Sequence, residues 1–265
     1  MSDPKPPEPV RVEHKDDVVV VTLDAPRGNA LSRAMIKNLS RALYRAEQLA
    51  GPVDAPAAWA IVLTGKPGVF CGGLDLKEGH GLDRGQLADW VDDFEGMFLQ
   101  LFSLRLPVVA AINGPAIAGG GILALACDER VGALEGKFEM GLNEVVLGLP
   151  FPSAALEIAR FSVRPDQHVD VLLKGRRFGR AEALDRGLVD ELAADVLGAA
   201  LDRAQVYKTL GARAVQKTKA DLRHDALTRA RARATESRRF FVESWTDPTN
   251  VARRQEVLDE LARKA

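Results

Sequence analysis

Three short runs in the first half of the chain restrict its fold more than any other feature. "DDVVVVTLD" (residues 16–24), "AWAIVLTG" (58–65) and "PVVAAING" (107–114) are rich in β-branched, apolar residues, and each stops at a turn-forming residue. Their apolarity is continuous rather than alternating, which predicts strands covered on both faces. Between the first two, residues 31–49 place Met35, Leu39, Leu43, Ala46 and Leu49 at helical spacing, with Ser32 as N-cap. A second helix is predicted over residues 87–102, with Val91, Phe94, Phe98 and Leu101 on its apolar face. Strand, helix and strand in repetition predict an α/β fold of βαβ units with right-handed crossovers.

From residue 197 to 265 the pattern is helical throughout, with Pro248 breaking it in two. Residues 203–239 hold eleven Lys and Arg against three Asp and Glu, the mark of a solvated helix face of which a small share could meet phosphates. Residues 75–95 carry the opposite bias, seven acids against two bases. No internal repeat is present. The domain division expected is a disordered proline-rich tail (1–9), a core (10–196) and a helical region (197–265).

The chain has 265 residues, enough to bury a substantial core, and a formal net charge of −1 that argues against nucleic acid or an anionic membrane as partner. Its first nine residues hold four prolines and no apolar signal segment, and the longest early apolar run, 18–23, is far too short for a bilayer span. A soluble protein is expected. Cys71 and Cys127 lie far apart without a CxxC pair, which fits a reducing compartment and predicts a cytoplasmic location.

Several chemistries lack their signatures. There is no P-loop, no GxGxxG opening a helix, no HExxH, no GxSxG elbow and no metal-ligand spacing, so no metal site is expected. His14, His80, His168 and His224 are scattered and read as surface or structural; His80, beside the glycines of "EGHGL", is the one to watch. Two glycine loops remain, each following a strand: "GVFCGGLDLKE" (68–78) and "NGPAIAGGGILALACD" (113–128). A strand running into such a loop and then a helix start exposes backbone N–H groups made electropositive by the helix dipole. One such loop is an ordinary connection. Two in one domain could supply the pair of donors that an oxyanion hole requires.

The residues resemble the crotonase, or enoyl-CoA hydratase/isomerase, superfamily. The likeness is carried by "NALS" (29–32), "FCGGLDLKE" (70–78), "INGPAIAGGG" (112–121), "ACD" (126–128) and "GLNEVVLGLP" (141–150), in the family's order and spacing, over residues 10–260. It implies a spiral of ββα units with a C-terminal helical trimerisation region, assembling as a homotrimer or a dimer of trimers. It further implies that the backbone N–H groups of Leu74 and Gly120 grip a thioester oxygen, the bareness of the glycine triplet letting that carbonyl approach. Binding positions carried over for an acyl-CoA thioester are Arg27, Ala30, Leu31, Gly72, Leu74, Asp75, Leu76, Gly120 and Leu123, with Asp75 chiefly ordering its own loop. No separate cofactor is implied, because coenzyme A enters as part of the substrate. Lys217 or Lys219 could reach a coenzyme A phosphate.

Family hydratases carry two glutamates that hold and activate a water. Here the first position is Leu123, which cannot deprotonate water, and the second is Glu144 within "GLNEV". The context resembles the single-glutamate Δ3,Δ2-enoyl-CoA isomerases of fatty acid metabolism. One carboxylate would take a proton from C2 and return it at C4, in a pocket that Ile122 and Leu123 help keep dry, with an apolar wall raising the Glu144 pKa. The alternatives are a hydratase using Glu144 with a substitute acid (Glu78, Asp83, Asp89, Asp92 or Glu95), or a silent relative that binds coenzyme A or RNA. Cys71 and Cys127 read as small buried residues rather than reactive thiols.

Overall fold

In the computed structural model, which describes residues 8–264, the valine-rich run forms β2 (Val18–Leu23), an inner strand of a six-stranded sheet. The sheet order is β1-β2-β3-β4-β6-β9, with β1 (Val10–Lys15), β3 (Ala60–Gly65), β4 (Val108–Ile112), β6 (Glu129–Ala133) and β9 (Glu191–Ala193). All neighbouring pairs are parallel except β1 with β2, which form a hairpin turned by Asp16 at φ 52°. Strands β3 and β4 are buried along their whole length, as the unbroken apolar runs require. The exposed edge strand β1, Val-Arg-Val-Glu-His-Lys, carries no such run. A second sheet of three two-residue strands, β5 (Ala116–Ile117), β7 (Met140–Gly141) and β8 (Arg177–Phe178), stands in the order β5-β7-β8.

Ahead of the first long helix, Pro26–Asn29 makes a single turn, α1, with Arg27, Gly28 and Asn29 all at positive φ. Helix α2 (Arg33–Leu49) starts at Ser32, whose hydroxyl accepts from the Met35 amide, and buries Met35, Ile36, Leu39, Leu43 and Ala46. After α3 (Leu76–His80), helix α4 (Arg84–Ser103) opens on a reciprocal capping box between Asp83 and Gln86. Helix α5 (Gly119–Ala126) is buried on every side. Then follow α6 (Ser153–Ser162), α7 (Arg180–Asp185), α8 (Val196–Val206), α9 (Ala212–Thr246) and α10 (Pro248–Lys264). Pro248 is the first residue of α10, where its missing N–H and fixed φ suit a helix start.

Helix α9 packs on α4 and α6 of its own chain, and α10 meets α3 and α9. The chain's last helices thus return to the elements around the glycine loops. Among the described residues, no helix is long and apolar enough to cross a membrane. Most of the expected proline-rich tail, residues 1–7, lies outside the described residues.

Candidate active site

The two glycine loops lie side by side. The amides of Phe70 and Cys71 donate to the Pro115 carbonyl, and the Ile117 amide donates to the Cys71 carbonyl at 3.0 Å. Leu74 bridges to Leu31, and Cys71 bridges to Ala116. Gly73, at φ +85°, makes the turn between them, and a side chain there would meet the Ile117 carbonyl at 2.7 Å. Ala118, just before the triplet, adopts φ 50° and ψ −121°, a conformation costly for any residue with a Cβ. That bend points the chain into α5.

Among the described residues, no chain oxygen accepts a hydrogen bond from the Leu74 or the Gly120 amide. Both belong to segments held from the other side: the Leu31 amide donates to the Gly73 carbonyl, while Gly120 is in the first turn of a helix, where amides lack intrahelical partners. The bareness of Gly120 has a cause within the fold: a Cβ there would stand 2.0 Å from the Cys71 carbonyl oxygen, so the glycine admits the neighbouring loop. Gly119 is pressed by Leu31 and Phe98, and Gly121 by Leu142 and the Gly141 carbonyl.

Strand β7 delivers the acid. After Met140–Gly141 the chain enters a 3₁₀ turn, Glu144–Leu147, ended by Gly148 at φ +73°. Glu144 is 7% exposed, and its Oε2 has no hydrogen-bond partner among the described residues. Burial pushes its carboxyl up to about 8, opposed weakly by its own backbone amide. The side chain faces a cavity of about 250 Å³ whose wall also includes Leu74, Gly119, Ile122 and Asn143. Of the described residues lining this cavity, Glu144 is the one with a carboxylate. The remaining wall is hydrocarbon apart from Arg177, which is half-exposed and paired with Glu139.

The binding positions expected from the sequence separate into two groups. Gly72, Leu74 and Leu76 line the cavity. Arg27, Ala30 and Leu31 do not; Leu31 braces the loop behind it through backbone bonds and Arg27 through an ion pair with Asp75 at 3.2 Å. Asp75 is buried and accepts from the Lys77 and Glu78 amides, capping α3. Leu123 is fully buried but does not line the cavity, because its neighbour Ile122 takes the inward side of α5. Gly120 is likewise absent from the lining, while Gly119 is present.

None of the candidate second acids reaches the cavity. Glu78 holds Arg33, Asp83 caps α4, Asp92 pairs with Arg238, Asp89 lies outside the lining, and Glu95 accepts from Ser153 and the Ala154 amide. Of the two lysines expected near a phosphate, Lys219 is buried between Asp128 and the Leu106 carbonyl, both at 2.6 Å, and is not available to one, while Lys217 is exposed and holds a surface ion pair with Asp221. His80 is exposed at the end of α3. Both thiols are buried, and burial pushes each up to about 12, the opposite of what a reactive thiolate needs. Among the described residues, no group of acids, histidines and cysteines could hold a metal ion.

Sequence reasoning did not single out several contributors to the wall. Arg177 belongs to the two-residue strand β8, which has no pattern of its own, Pro152 and Ala155 lie at the start of α6, and Phe241 and Val257 arrive from helices more than 100 residues further along the chain than α5. Phe94 and Phe98 had been legible only as a helix's apolar face.

The sequence profile described as enoyl-CoA hydratase/isomerase matches residues 13–260. The mitochondrial enoyl-CoA delta isomerase 1 of Mus musculus is 33% identical over 183 residues, covering 69% of this chain and 62% of that protein. A probable enoyl-CoA hydratase of Rhizobium meliloti is 34% identical over 205 residues, 73% of this chain and 74% of that protein. The chain thus spans less than two thirds of the mouse isomerase's length. The crystal structure of human mitochondrial delta3-delta2-enoyl-CoA isomerase superposes with a TM-score of 0.86 at 29% identity, covering 97% of this chain and 99% of that one. With its fold and nearly its whole length matched, the chain belongs to the enoyl-CoA hydratase/isomerase family.

Proposed function

We propose that the protein shifts a carbon–carbon double bond from C3 to C2 in a fatty enoyl-CoA thioester, using Glu144 as the single proton carrier. The observation that carries this reading is the lone buried carboxylate facing a largely apolar cavity lined by Leu74 and Gly119, with the Leu74 amide and the amide of Gly120, next to Gly119, unpartnered among the described residues. Glu144, ionised, removes a proton from C2, and the electron pair moves onto the thioester oxygen to give a dienolate. The Leu74 and Gly120 amides hold that oxygen, each such donor contributing about 3 kcal/mol to the transition state. Glu144 then returns the proton to C4, the electrons fall back from oxygen, and the double bond rests between C2 and C3. Coenzyme A is part of the substrate, and no resident cofactor takes part.

Among the described residues, two-carboxylate hydration has no second acid in this cavity, since Leu123 stands at the usual position and Glu78, Asp83, Asp89, Asp92 and Glu95 are all elsewhere. Incubating 2-enoyl-CoA and 3-enoyl-CoA separately tests the reading. Rapid conversion of the 3-enoyl thioester, lost in Glu144→Ala with acyl-CoA binding retained, is expected; rapid water addition to the 2-enoyl thioester would defeat it.

The assembly belongs to the same proposal: a homotrimer or a pair of trimers. Exposed apolar side chains at Phe161, Val169, Leu173, Leu210 and Leu222 support a buried interface on the helical side of the molecule. Light scattering coupled to size exclusion would contradict it by returning a monomer. Two free thiols support a cytoplasmic location, which fractionation tests.

A further inference from the structure

One wall of the Glu144 cavity is a block of aromatic rings. Phe94 and Phe98 come from α4 and Phe241 from α9, with the Phe94 centroid 6.0 Å from Phe98 and 5.7 Å from Phe241. Trp90 and Trp245 stand behind them, 5.6 Å apart and edge-on, Trp90 at 6.0 Å from Phe94 and Trp245 stacked at 5.7 Å on Phe241. All five rings are at most 3% exposed. The block is pinned from outside as well. Trp245 Nε1 donates to the Gly79 carbonyl at 3.2 Å, Gly79 has no room for a side chain against either tryptophan, and the Arg254 guanidinium covers Trp245 at 4.4 Å. Rings packed this way cannot swing aside for a ligand without opening a void elsewhere.

We propose that this aromatic wall limits the enzyme to short and medium unsubstituted acyl chains. The inference rests on the isomerase reading above. A cavity of about 250 Å³, at roughly 30 Å³ for a group the size of a water or methylene, holds about eight carbons. Its wall also offers Pro152, Ala155 and Val257, all hydrocarbon, so a hydroxyl or carboxylate on the tail beside them would lie unpaired. Ala155, a small residue 2% exposed, lines the same cavity, and a larger side chain there would take up part of its volume.

The test is kcat/KM across 3-enoyl-CoA substrates of increasing length. The native protein is expected to peak at about eight to ten carbons and to fall at least about tenfold by fourteen. Phe241→Ala removes part of the wall and is expected to raise the ratio of fourteen-carbon to eight-carbon kcat/KM about tenfold, while Ala155→Leu moves the peak to about six carbons or fewer. Should Phe241→Ala not fold, Phe241→Leu carries the same test with a shift of about threefold. A native profile that stays flat through sixteen carbons, or ratios unmoved by either substitution, overturns the wall's role and leaves the isomerase reading standing. Absence of turnover at every length overturns the isomerase reading itself.

Discussion

Burying a carboxylate without a partner costs several kcal/mol unless the group takes up a proton. Glu144 has one oxygen unpartnered and its carboxyl pushed from 4.5 up to about 8. Between those values the folded chain binds more protons at this site than the unfolded chain, so stability falls as pH rises across the window, and the loss is complete above about 8. Glu144→Gln removes the titration. Chemical denaturation should show the variant gaining on the native protein by something on the order of 4 kcal/mol between pH 5 and pH 9. Catalysis asks for the opposite protonation state, so native kcat/KM should climb with pH up to about 8. A profile already flat from pH 5 would contradict the buried, proton-poised glutamate. At this scale the sequence singled out Glu144 through the family resemblance of "GLNEV", and the structure buries that carboxylate against the cavity. It did not reveal that Ile122 rather than Leu123 faces the cavity, since both are apolar and only the packing of α5 chooses between them.

Elements whose pattern is local were readable, and elements made by distant partners were not. Helices α2 and α4 carry their apolar stripes and their caps, Ser32 and Asp83, within their own sequence. Strand β1 escaped because its outward residues are polar and its one partner is the hairpin arm β2. The two-residue strands β5, β7 and β8 exist only through pairing between segments more than 20 residues apart, and no periodicity can announce them. The start of α5 shows how close approach between elements dictates residue type. A methyl at position 120 would collide with the Cys71 carbonyl at 2.0 Å, and backbone cannot yield as a side-chain tip can. Gly120→Ala is therefore expected to destabilise the fold by about 3 kcal/mol. In the folded fraction it should lower kcat/KM by about a hundredfold, because the Leu74 and Gly120 amides are forced apart. Unchanged melting and turnover would refute the tight contact of the two loops.

Across the whole molecule, the glycine loops and the buried Asp128 ion network lie at opposite ends of the main sheet. The glycine loops leave the strands' C-terminal ends, whereas Asp128, at the start of β6, binds the Val108 amide, Lys219 and Arg223 at the N-terminal end. Arg223 also lies over Phe102 at 4.2 Å. Read as sequence, Lys219 sat in a basic helix free to meet a phosphate; folded, it belongs to a buried ion network that fastens α9 to the sheet. Asp128→Ala would leave two buried cations unpaired and is expected to cost about 3 to 5 kcal/mol, read as a lower denaturation midpoint. A loss below about 1 kcal/mol would show the network to be dispensable. The same long helix, expected from sequence to serve contacts between copies, also supplies Phe241 to the cavity of its own chain.

The central claim is that one carboxylate, shielded from water, carries a proton from C2 to C4. A 3-enoyl-CoA deuterated at C2 tests it directly. Nuclear magnetic resonance of the 2-enoyl product formed in ordinary water should find a substantial share of the deuterium at C4. Complete loss of that label to solvent, or turnover that persists in Glu144→Gln, would contradict the claim.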